Sequence, residues 1–458
     1  MSQLSVGFAR KNITPTRGIV IAGYYVERRM DGVLDDLYAT AVALKDGEKR
    51  ILLMSLDMLS VNTPYMNEYR KAIAEAVKLP MEAVCIHCTH AHTGPYVEWD
   101  KALKFGVQDD PEKHAQVEEY RHELGKKLVD VALEAFEDLK TAVMGYGVGK
   151  AENVAFLRRY RMKDGSVRTN PGVNNPDIVE PVGELDNRVG VVRFDREGGS
   201  SIAMVNFANH PDVVGGTKIS ADWPGFLRRT LEKALDNVNC VFFNGAEGDV
   251  NHVNVHPTKG YLNDMFMDFD NVARGYGHAR HIGRVIAGAV LQVWDKVEYQ
   301  EETNLAFNEK QINIPSNRPL PEEMPEAKHI NDLHLAGRDA ELPYEGMMLT
   351  TMVADAARKV KLENGPDAFP MNLITLSVGR VAFVGIPGEP FNRVGSMIRE
   401  EEGWGLILPM CLTNGCEGYF PMRDSYEQGG YEAKSSIFKA GTAELIVEES
   451  RNLLKTLR

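Results

Sequence analysis

Short apolar runs rich in Val, Ile and Leu recur along this chain at 36–45, 50–58, 83–88, 188–195, 201–208, 239–244, 372–377 and 380–385. Bounded by polar turns, they read as strands. Between them, apolar residues at three- and four-residue spacing predict helices over 63–78, 111–139, 224–236, 271–297 and 435–457. The alternation restricts the chain to a mixed α/β fold. No repeat of solenoid or propeller length interrupts it.

With 458 residues the chain can bury a large core, and one extended domain over 1–458 accommodates it. A Pro- and Glu-rich stretch at about 313–347 is the one compositional break. It reads as a surface excursion, with a lid or an oligomer arm as the functional alternatives.

The net charge of −13 comes without a Lys/Arg cluster, so no nucleic-acid partner is expected. The start lacks an export signature and no apolar stretch reaches the roughly 18 residues of a membrane span. A cytoplasmic protein without stable membrane association is therefore expected. Five cysteines suit reduced thiols. Cys85 and Cys88, three apart on a strand, face opposite ways and make a poor half of a thiolate zinc site.

Polar clusters sit where strands end, the usual place for sites in open α/β proteins. "CTHAHTGP" carries His90 and His92, which strand alternation would project together. "FANHP" carries His210, "ISADWPG" Asp222, "NGAEGDVN" Glu247, Asp249 and Asn251, and "IPGEPF" Glu389. The turn-rich "GYFPMRDSYEQGGYE" supplies Tyr419 and Tyr431. A His-x-His after a strand also occurs in amidohydrolase barrels, but the irregular strand spacing does not support eight βα units.

Taken in order, "FARKNITP", "IAGYY", "DDLYATAVAL", "MSLDML", "CTHAHTGP", "FANHP", "ISADWPG", "NGAEGDVN", "IPGEPF" and "GYFPMRD…GGYE" resemble the catalytic domain of the neutral/alkaline non-lysosomal ceramidase family. The resemblance runs from residue 7 to about 433. It implies mixed stacked sheets flanked by helices and one zinc ion per chain, held by His90, His210, Glu389 and Tyr419. It further implies His92 and Tyr431 facing the reacting carbonyl, and a cleft arginine for which Arg158 is preferred over Arg159. Asp57 in "MSLDML" either orients a ligand histidine, the preferred reading, or caps a turn. Asp222 and Asp249 read as structural turns.

The implied reaction is hydrolysis of an amide or ester, with a lactone included, by zinc-activated water. Two departures matter. The family serine after the Gly-Asp turn is here Asn251, which cannot be an acyl nucleophile. The family's C-terminal immunoglobulin-like domain is also not expected here. Ceramide is accordingly not the preferred substrate. The polar residues Glu247, His252, Asn254, His256, Arg158 and Arg159 point to a small hydrophilic one, such as a sugar derivative or an N-acylated metabolite. A metal-dependent lyase or isomerase acting on a sugar acid is the alternative reaction, and a non-catalytic metal-binding homologue the alternative class. A homo-oligomer is compatible with the Pro-rich arm.

His87 is expected in the core. The pairs His278/His281 and His114/His122 read as surface or packing residues.

Overall fold

The computed structural model describes residues 3–16, 18–257 and 265–458. Its largest sheet runs, edge to edge, through Val238–Asn244, Ser201–Phe207, Arg188–Arg196, Lys140–Lys150, Ser5–Asn12, Tyr38–Asp46, Lys49–Leu56 and Val84–Cys88. The middle pairs are antiparallel, but the outermost pair at each edge is parallel. Each parallel pair is joined by a crossover helix, Thr63–Val77 at one edge and Asp222–Ala234 at the other.

The sheet folds over on itself. Ser5–Asn12 meets Lys140–Lys150 through only the first residues of the two strands, and the halves stack face to face there. Side-chain alternation records this. Met204 and Val241 point into a core shared with Val42, Leu53 and Cys85, whereas Val205 and Phe242 pack on the helices Asp222–Ala234 and Tyr276–Trp294. On the opposite outside, Leu52, Ile86 and Cys88 pack under Thr63–Val77 and Pro111–Glu137. The result is four layers, helix, sheet, sheet, helix. Cys85 and Cys88 indeed face different layers.

A second sheet, Leu305–Pro315, Ala368–Val378, Val381–Gly385 and Leu406–Met410, closes one end of the shared core. Its last pair is again parallel, crossed over by helix Asn392–Arg399. Three βαβ crossovers therefore deliver the carboxyl ends of their strands toward one region.

Two helix expectations change. The helix expected from 271 starts at Tyr276, because 273–274 form a short strand that leaves Arg274 free to bind Asp212 and Asp270. The helix expected from 435 divides into Tyr431–Ser435 and Thr442–Thr456, broken where Gly441 takes a φ of 99° and Phe438 turns into the core. The Pro/Glu-rich stretch contains the helix Met324–Leu335, which with Gly346–Leu362 forms a small unit cored by Ile330, Leu333 and Val353 and packed against Tyr25. Among the described residues no helix is long and apolar enough to cross a membrane.

Candidate metal centre

His90 and His210 follow the strands Val84–Cys88 and Ser201–Phe207, while Glu389 follows Val381–Gly385. Glu389 lies in register with Tyr419 in a two-residue parallel pairing. The geometry thus brings all four candidate ligands to one point, each from a different connection.

The pair His90/His92 converges by a route other than the expected one. The strand ends at Cys88, and His90 takes a left-handed φ of 76°, a conformation uncommon for a residue with a β-carbon. That turn, and not strand alternation, aims both rings inward. Gly23, with φ 120°, backs them, since a β-carbon there would stand 2.8 Å from the His92 carbonyl oxygen. Arg28 also donates to that carbonyl, at 2.7 Å.

Hydrogen bonds set the inward-facing atoms. Nδ1 of His90 donates to the Leu59 carbonyl at 3.0 Å and Nδ1 of His210 to those of Glu247 and Val250, both at 2.9 Å. This leaves the two Nε2 lone pairs facing Glu389 Oε2, which is 3.3 Å from each. That oxygen is buried with no hydrogen-bond partner among the described residues. The Tyr419 hydroxyl is 3.5 Å from His210 Nε2. Ligands about 2.0–2.2 Å from a tetrahedral zinc stand about 3.3–3.6 Å from one another, so two imidazoles, a carboxylate and a phenol at these separations fit the ion.

Two further groups border this cluster. Nε2 of His92 is 3.2 Å from Nε2 of His90. Glu247, at the end of strand Val238–Asn244, has an oxygen within 4.8 Å of the ligand atoms of His90, His210 and Glu389. Both oxygens of Glu247 are buried without a hydrogen-bond partner among the described residues. Burial and the Glu389 charge hold its carboxyl well above the usual carboxylate range. Glu247 was read from the sequence only as a polar residue of the cleft, and as a fourth oxygen donor it competes with Tyr419.

The remaining charges form a frame. Burial, with the Arg158 charge, lowers His210 to about 4 and keeps it neutral. Burial drives Tyr419 well above the usual phenol range, with Glu389 adding to the rise and Arg158 opposing it.

Arg158 enters the site and Arg159 does not. The Arg158 guanidinium donates to Glu432 at 2.6 Å and to the Gly248 carbonyl at 2.7 Å, which leaves Nη1 3.4 Å from His210 Nε2. Arg159 turns to Ser425 and the Gly429 carbonyl. Tyr431 stacks edge-on against Tyr419, with ring centres 5.5 Å apart, and its hydroxyl lies 3.5 Å from that of Tyr25.

Asp57 does not orient a histidine. Its carboxylate is clamped by Arg228 at 3.0 and 2.8 Å and accepts the Tyr38 amide, an internal ion pair that satisfies a buried charge. Asp222 accepts the amides of Val213 and Val214, and Asp249 that of Asn392, so both shape turns as expected. Asn251 is tied to Asn170 and to the Val253 amide. His87 is a core residue, its two ring nitrogens used by the Cys411 carbonyl and the Asn244 amide. Of the polar crowd, His252 is fully buried against the Ala273 carbonyl, whereas His256 is exposed. His278 is buried, and His281, His114 and His122 are exposed.

No family model matches the chain, and no curated protein matches it in sequence. Solved structures do match. The neutral ceramidase from Pseudomonas aeruginosa superposes with a TM-score of 0.70 at 17% identity, over 99% of this chain and 74% of that one. A ceramidase complexed with C2 gives 0.72 at 16%, over 100% and 76%. The fold is that of the neutral ceramidases. The expected stacked mixed sheets flanked by helices agree with it. At 16–17% identity the ceramidase likeness speaks for the fold alone.

Proposed function

We propose that this chain is a zinc-dependent hydrolase that cleaves an amide or ester bond, lactones included, of a small polar substrate. The observation that carries the reading is the meeting of His90 Nε2, His210 Nε2 and Glu389 Oε2 at 3.3 Å separations, with Tyr419 beside them. These four residues would hold the ion. A zinc ion in such a site polarises a carbonyl as a Lewis acid and lowers the pKa of water toward about 7.

The chain's own groups do the rest. Arg158, with two of its three nitrogens fixed on Glu432 and Gly248, presents Nη1 as a donor for negative charge developing on the carbonyl oxygen. Tyr431, protonated because burial pushes its phenol well up, adds a hydroxyl donor from the cleft wall. Burial keeps His92 neutral, so its Nε2 can accept a proton from the attacking water and return it to the leaving group. Asn251 leaves no acyl nucleophile in the Gly-Asp turn.

A cleft of about 350 Å³ opens from His90, Glu389 and Tyr419. This is at the small end of ligand sites, which span roughly 300–1,000 Å³, and it supports a small substrate. Metal content should be measured by elemental mass spectrometry on untagged protein, in wild type and H90A/H210A, beside activity on amides, esters and sugar lactones. Near one zinc per chain, lost in the double variant, supports the assignment, and metal indifferent to it refutes the site. Turnover in oxygen-18 water places label in the product of hydrolysis and none in that of a lyase or isomerase.

A further inference from the structure

The outer wall of the same cleft carries Lys101, Lys104 and Lys361. Lys101 and Lys104 stand three apart on the short helix Trp99–Lys104 and so share a face, while Lys361 comes from the far end of helix Gly346–Leu362. Lys101 is half-buried, and its ammonium donates to two neutral oxygens, Ser60 Oγ at 2.7 Å and Asn62 Oδ1 at 3.1 Å. Its acidic neighbour Glu98 accepts the Asn62 amide at 2.6 Å and forms no ion pair with Lys101, though its charge still acts on that ammonium. Lys104 and Lys361 reach solvent at the mouth, and neither has a hydrogen bond or ion pair among the described residues.

Three ammonium groups without carboxylate partners run against the chain's composition, which has 65 acidic residues for 52 basic ones. Other lysines of comparable burial are paired, Lys113 with Glu27 and Lys359 with Glu323 and Asp355. Among the described residues, the one acid lining the cleft apart from Glu389 is Glu417, and the Thr63 hydroxyl is bonded to its carboxylate. Burial and the charge of Lys104, with Lys101 adding to it and Glu417 opposing, make the Lys361 ammonium easier to deprotonate than usual. In a protein of net negative charge, such a positive mouth focuses the field on incoming anions.

We infer that the cleft selects substrates carrying an anionic group, a carboxylate or a phosphate, which Lys101, Lys104 and Lys361 receive while the amide or ester lies at His90, Glu389 and Tyr419. The inference rests on the hydrolase reading and narrows its substrate class. Ammonium groups act as point charges and accept either anion.

The zinc-loaded full chain should be assayed on glutaryl para-nitroanilide and on the same anilide with its terminal carboxylate converted to a carboxamide. Wild type should favour the carboxylate, and K104Q/K361Q should reduce that preference in kcat/KM by about tenfold or more. Most of the loss should fall in KM, and K361Q alone should show a part of it. Thermal unfolding with glutarate and with inorganic phosphate forms the second arm. Either anion should stabilise wild type more than the double variant, and the stronger of the two identifies the group. Equal turnover of both anilides, unchanged in the variant, overturns the inference and leaves the hydrolase reading standing. No turnover of any anilide together with lysine-dependent anion binding sinks the hydrolase reading and keeps the anion site. No turnover and no lysine-dependent stabilisation overturns the inference on its own.

Discussion

Nδ1 of His92 lies 3.5 Å from Oδ1 of Asp212, and Asp212 is itself held by Arg274 at 3.1 and 2.9 Å and by the Tyr24 hydroxyl at 2.6 Å. His92 Nδ1 has no hydrogen-bond partner among the described residues, and with its N–H turned to this carboxylate the Nε2 lone pair faces His90. Two unprotonated nitrogens 3.2 Å apart repel unless a cation or a proton lies between them. D212N should therefore misdirect His92 while leaving the His90, His210 and Glu389 cluster intact. The expected result is a fall in kcat of about 10–100-fold at unchanged zinc content. A variant with wild-type kcat would remove His92 from the reaction.

Arg158 makes a sharper case, because its three nitrogens have three different duties. A lysine can satisfy one of them. R158K should lower kcat by about 10²–10³-fold, the usual consequence of removing an oxyanion donor. Its zinc affinity should hold, since lysine keeps the positive charge beside His210 and none of the four proposed ligands is altered. Equilibrium dialysis against zinc buffers, run beside steady-state kinetics, separates the two effects. Loss of zinc in step with activity would make Arg158 a structural residue.

Asp57 and Arg228 form a pair whose side chains are 2% and 5% exposed and make no hydrogen bond with His90. Removing one partner strands the other charge, so D57A should destabilise the fold by about 3–5 kcal/mol. Urea unfolding measures this. Whatever fraction remains folded should bind zinc with wild-type affinity, whereas a weakened site would restore the orienting role expected from the sequence.

These cases mark what could be read from the chain alone. The strands were legible because parallel strands buried on both faces read as continuous apolar runs, as Lys49–Leu56 does. His90, His210, Glu389 and Tyr419 were legible only as members of an ordered series of blocks, since each sits on a separate connection and no local spacing links them. Asp57 was misread because Arg228, its partner, lies 171 residues away in a helix that looks ordinary. Glu247 was legible only as a polar residue of the cleft, and Asp212 was not singled out, for a related reason. Both gain their roles from the folding-over of the sheet, which brings Val238–Asn244 against Val84–Cys88, as the bond from the Asn244 amide to His87 records. A charged residue two places after a strand-end histidine, as in "NHPD", was the one available signal.

The scaffold behind Glu389 offers a pH test. Asp186 bonds to Arg399 at 2.6 Å and to Arg188 at 2.8 Å, and its own amide donates to Asn392, whose backbone N–H reaches Asp249 beneath the Gly-Asp turn. Burial opposes its ionisation, but Arg188 and Arg399 more than offset this and hold the carboxyl below its usual value. A carboxyl lowered on folding stabilises the native state above its unfolded pKa of about 3.9, and that contribution disappears as pH falls through the folded value. D186N removes the charge and leaves Arg399 buried without its partner. At pH 7 it should be less stable than wild type by about 1.5–3 kcal/mol, the usual worth of a hydrogen bond to a charged group. The gap should stay constant down to about pH 4 and then narrow, because wild type loses the same charge by protonation. Urea midpoints of both proteins across this range give the answer. A gap that does not narrow on acidification would assign the effect of D186N to altered side-chain geometry in place of the lost charge.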